Sequence, residues 1–90
     1  MATNTEAEIF SRIFEPDVPN LSPEAAQSIV QLDFKPEDRA RMNVLSAKAR
    51  AGKLSRREDR ELEDFIQVGH ILAIMQSKAR RSLRKRIPGR

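Results

Sequence analysis

Residues 55–86 constrain this chain more than any other part of it, because they read as one unbroken helix with three chemically different thirds. The start is acidic (Glu58, Asp59, Glu61, Glu63, Asp64), the middle is apolar from Phe65 to Met75, and the end is basic (Lys78, Arg80, Arg81, Arg84, Lys85, Arg86). From Arg56 to Arg86 such a helix runs about 46 Å. Leu62, Phe65, Gly69, Leu72, Met75, Gln76, Ala79 and Leu83 form a near-heptad stripe, which Ile66, Val68 and Ala73 widen. Ile71 and Ile74 fall on the other side, so the midsection is expected to be covered on both faces, by the chain itself or by another subunit. Gly69 weakens a helix by about 1 kcal/mol relative to Ala, which fits a neighbouring helix crossing closely there, the alternative being a tolerated glycine of no consequence.

Two shorter helices lead into it. Ser22, Pro23 and Glu24 give an N-cap, a proline at the first helical position and an acid beside it, and the helix is expected to end near Asp33. Ala25, Ala26, Ile29, Val30 and Leu32 supply its apolar face. Phe34 falls in the turn, and Pro36, Glu37 and Asp38 open the next helix, on which Met42, Leu45 and Ala49 are spaced by three and four. Gly52 ends that helix, with Leu54 folding back as the accompanying apolar contact. Ser55 and Glu58 then form a capping box for the long helix.

At the N-terminus, Thr5 caps a short helix with Glu6 and Glu8 in its first turn and Ile9, Phe10, Ile13 and Phe14 on one face. Glu15 to Asn20, containing Pro16 and Pro19, reads as a stiff extended connector. Strand-type alternation is missing. The predicted fold is all-α: a small helical bundle centred on a helical hairpin, with a long C-terminal helix and a short N-terminal appended helix. Residues 1–20 form the appended helix and connector, 21–86 the helical domain, and 87–90 a basic C-terminal end.

Composition narrows the chemistry. Ninety residues make one small domain whose core is marginal unless helices pack well or a second copy helps. No cysteine is present, which removes disulfides, thiolate nucleophiles and Cys-based zinc sites. The first residues lack a secretory pattern, and the apolar run falls short of the roughly 20 residues a membrane span needs. A cytoplasmic protein is expected. Residues 78–90 hold seven of the 17 Lys and Arg and no acid, so the remainder carries 10 basic against 13 acidic residues, a net of −3. The basic balance therefore belongs to the tail.

Catalysis has little foothold. His70 is the only histidine and reads as an exposed or interface residue, since general acid–base work needs a tuned group in a pocket. Asp59, Glu61, Glu63 and Asp64, beside Arg57 and Arg60, read as a solvated, ion-paired face. The three glycines are too far apart for a phosphate loop. The chain is read as non-enzymatic, with no catalytic residue, metal or cofactor and no small-molecule substrate. Its expected partner or oligomer interface comprises Ile9, Phe10, Ile13, Phe14, Phe65, Ile71, Leu72, Ile74 and Met75, with folding of the N-terminal helix back on the chain's own core the equal alternative for the first four. The alternative is a nucleic-acid-associated helper in which Lys78, Arg80, Arg81, Arg84, Lys85 and Arg86 bind phosphates without reading sequence.

Asn20-Leu21-Ser22-Pro23-Glu24-Ala25-Ala26, Asp38-Arg39-Ala40-Arg41-Met42, Leu45, Lys48-Ala49, Gly52, Leu54, Glu58, Glu61-Leu62, Val68-Gly69, Leu72 and Gln76-Ser77-Lys78-Ala79-Arg80 through Leu83 carry a resemblance over nearly the whole chain. The pattern resembles a family of small uncharacterised bacterial all-helical proteins whose genomic neighbours look like HNH-type endonucleases. Lys53 and Ser55 stand where the family pattern has threonines, and the tail is more basic than usual. The resemblance carries no active residues. It implies a companion role, antitoxin- or immunity-like, toward a partner such as a nuclease.

Overall fold

A computed structural model of the protein describes residues 5–85. Four helices occupy them: α1 (Glu6–Phe14), α2 (Pro23–Val30), α3 (Pro36–Arg50) and α4 (Arg56–Lys85). No strand occurs among the described residues, and the all-α fold with its long C-terminal helix is as the sequence predicts. The chain divides into two compact units, Asp33–Gly69 and the segments that flank it, with α4 contributing to both. This division differs from one that sets residues 1–20 apart, because α1 is bound into the same unit as the second half of α4.

Asp33–Gly69 is the helical hairpin. Its turn is specified from both sides. Gly52 takes the left-handed region at φ 69°, the Lys53 N–H donates to the Lys48 carbonyl, and the Gly52 N–H donates to that of Ala49. These two bonds form a Schellman ending, and Leu54 is half-buried behind it. Across the turn, the Ser55 Oγ accepts from the Glu58 N–H at 3.1 Å while the Glu58 carboxylate accepts from the Ser55 N–H at 3.1 Å. The hairpin packs around Leu45, which is fully buried. Phe34 meets Phe65 edge-to-face, with ring centroids 6.1 Å apart.

In the other unit, α1, α2 and the second half of α4 pack around small side chains, with Ala26, Ala79 and Ser82 fully buried. The second half of α4 is fastened to its neighbours by bonds from side chain to backbone. Gln76 Nε2 donates to the carbonyls of Ile29, Val30 and Leu32, which supplies the unpaired C-terminal end of α2. This explains why α2 stops at Val30 rather than near Asp33. Ser82 Oγ accepts from the Leu21 N–H at 3.2 Å, just before the Ser22 cap that opens α2.

α1 begins on a complete capping box between Thr5 and Glu8 and ends at Glu15, which is left-handed at φ 53°. The connector is not extended as the prolines predict. The Val18 N–H donates to the Glu15 carbonyl, closing a turn over Pro16 and Asp17. Two further expectations are corrected. Ile66, Val68 and Ala73 are exposed rather than part of the buried stripe. A Cβ placed on Gly69 would meet nothing within 4 Å, so none of the chain's own described helices crosses closely there.

Candidate interaction surfaces

The residues expected at an interface divide by helical phase. On α1, Phe10 and Phe14 lie four apart, stack with ring centroids 5.1 Å apart and are half-buried. Ile9 and Ile13, also four apart and turned by one residue, are exposed, Ile13 to 77%. The four apolar side chains thus occupy two adjacent stripes, one facing the protein and one facing solvent. On α4, Phe65, Ile71, Leu72, Ile74 and Met75 are half-buried. Val18, Leu32, Val44, Ile66 and Val68 add to the exposed apolar surface and are missing from the sequence-based set. Periodicity alone places Ile66 and Val68 beside the core stripe, and in the fold both stay outside it.

The basic third of α4 also divides. Lys78 is 5% exposed, its Nζ donates to the Phe14 carbonyl at 2.5 Å and it lies 4.5 Å from the centroid of the Phe14 ring. A cation at the carbonyl end of α1 meets the negative end of that helix, and the ring face adds a second attraction. Lys78 is therefore corrected from phosphate ligand to tertiary clamp. Arg81 Nη1 donates to the Pro16 carbonyl at 3.1 Å and to Ser77 Oγ at 2.8 Å, and lies 3.5 Å from Asp17. Arg80, Arg84 and Lys85 are exposed, and Arg86 lies outside the described residues.

In the hairpin, Glu58 and Glu61 from the acidic start of α4 pair with α3 rather than with their own helix. Arg41 grips Glu61 in two-pronged fashion, both contacts at 2.8 Å. Lys48 reaches Glu58 at 2.5 Å, and Arg41 stands 3.8 Å from the same carboxylate. The hydrogen bond from Lys48, followed by that from the Ser55 N–H, holds the Glu58 carboxyl down to about 2. Bonding to Arg41 likewise lowers Glu61 and raises the guanidinium. Arg41 and Lys48 lie seven apart on α3, and Glu58 and Glu61 three apart on α4, a ladder visible in the sequence only once the hairpin is assumed.

Beside this ladder a groove of about 370 Å³ is lined by Phe34, Phe65 and Val68, with Asp38, Glu61 and Asp64 at its rim. His70 is exposed. Among the described residues no group of three His, Asp or Glu could hold a metal ion, and no helix is long and apolar enough to cross a membrane. Comparison with family models, with curated proteins and with solved structures returns no match.

Proposed function

We propose that this chain is a non-enzymatic helical protein–protein interaction module, working by self-association or as the companion of a partner protein. The carrying observation is an imbalance of apolar surface. Only Ala26, Leu45 and Ala79 are fully buried apolar residues among those described, whereas Ile9, Ile13, Val18, Leu32, Val44, Ile66 and Val68 are exposed. A small domain buries a modest share of its surface in any case, and of these side chains Ile9 and Ile13 recur at helical spacing on one outward face of α1, which suits it to a second polypeptide. The α1 face of Ile9 and Ile13 is the primary contact in this reading. The resemblance to proteins encoded beside HNH-type endonucleases makes a nuclease the partner class to test first, with an antitoxin- or immunity-like outcome.

Light scattering of the purified chain, alone and co-expressed with an HNH-type endonuclease, tests the reading with Ile9→Asp combined with Ile13→Asp. Both side chains are exposed, so helicity should be retained. The expected result is an assembly with the native chain and its loss in the double variant. Identical masses for the two chains under both conditions would overturn the reading. Of the six basic residues assigned to it, the nucleic-acid alternative keeps Arg80, Arg84 and Lys85 as exposed cations among the described residues, and its binding would fall steeply between low and moderate salt. Association through apolar faces would persist.

A further inference from the structure

We propose that the groove beside the α3–α4 ladder is a docking site for a partner segment that presents one large apolar side chain flanked by arginines or lysines. The inference rests on the interaction-module reading and adds the chemistry of the partner. The groove floor is Phe34, Phe65 and Val68, and Val68 is 51% exposed. Glu61, Phe65 and Val68 are spaced by four and three, so they share one face of α4, and Asp38 faces the groove from the first turn of α3. Of the three rim carboxylates, Glu61 is committed to Arg41. Asp38 and Asp64 have no cation within ion-pair distance among the described residues.

An apolar floor under two uncommitted carboxylates selects its occupant. Phosphate-bearing molecules are repelled by the rim, so nucleic acid is disfavoured here. The floor has side chains without hydrogen-bonding groups, so a polar small molecule gains little. A volume of about 370 Å³ accepts one or two side chains rather than a whole helix. Carboxylates on both walls complement cations on either side of the inserted group, and arginine can engage them with two parallel hydrogen bonds.

The test uses the full chain and a short fluorescent peptide with one Leu between pairs of Arg, read by anisotropy. Saturable binding is expected, and it should weaken about tenfold with Asp38→Lys combined with Asp64→Lys, with Val68→Asn, or when the peptide Leu is replaced by Ser. All three substituted side chains are exposed, and helicity by circular dichroism confirms each variant is folded. Absence of saturable binding, or equal binding by the charge-reversed chain or the Ser peptide, overturns the proposal. Those outcomes leave assembly through Ile9 and Ile13 intact, so loss of this site and loss of the interaction reading are told apart. Backbone amide shifts upon adding a short DNA duplex, centred on Phe34 and Val68, would also overturn it.

Discussion

Lys78 illustrates how a residue type can be assigned to opposite roles by its surroundings. In sequence it is the first of a run of cations, and in the fold it is buried against the last carbonyl of α1 and the Phe14 ring. A lysine is spared the full penalty of burial when its ammonium has such partners. Gly69 is the converse case, a residue whose sequence position suggests a tight crossing and whose surroundings are open. It lies inside α4 with ample room for a methyl group, so Gly69→Ala should raise stability by about 1 kcal/mol, measured by urea denaturation. An unchanged or lowered midpoint would mean that a close neighbour does sit there.

At the level of elements, the hairpin and the α1–α2 unit are held by different chemistry. The hairpin relies on ion pairs and caps. Glu58 serves in both, as the acid of the capping box and as the partner of Lys48. Its carboxyl is held down to about 2 from an ordinary value of 4.5, so the charged form is bound more tightly in the folded hairpin than in the unfolded chain. The contribution is present above pH 4.5 and is lost as pH falls through about 2. Acid titration followed by circular dichroism should show stability falling over that window, and Lys48→Met should move the Glu58 titration upward. If that titration, read by carboxyl carbon NMR, stays in place, the pairing is not responsible. The α1–α2 unit relies instead on α4 side chains that satisfy backbone groups at helix ends: Gln76 for α2, Lys78 for α1, and Ser82 for the Leu21 N–H before α2. Without Lys78 the Phe14 carbonyl, and without Ser82 the Leu21 N–H, loses its side-chain partner, which is the costly way to lose a hydrogen bond, whereas the Ile29 carbonyl reached by Gln76 still accepts from the Leu32 N–H.

For the whole molecule, few apolar side chains are fully buried among the described residues and more large ones are exposed, and in the proposed reading association supplies the missing burial. If the chain self-associates, its thermal midpoint should rise with protein concentration in the native sequence and become independent of it with Ile9→Asp and Ile13→Asp. A midpoint independent of concentration in both would assign the exposed faces to a different protein. Most local architecture was legible beforehand. The Ser22, Ser55 and Thr5 caps, the prolines that open α2 and α3, the Gly52 stop and the continuity of α4 are encoded within a few residues of one another, so near-neighbour sterics and hydrogen bonds determine them. The groove, the Arg41–Glu61 pair, the clamps made by Gln76, Lys78 and Arg81, and the outward turn of Ile66 and Val68 were decided only by the tertiary structure. They depend on contacts between helices 20 or more residues apart, and periodicity records which side chains share a face without recording how much of that face a neighbour covers.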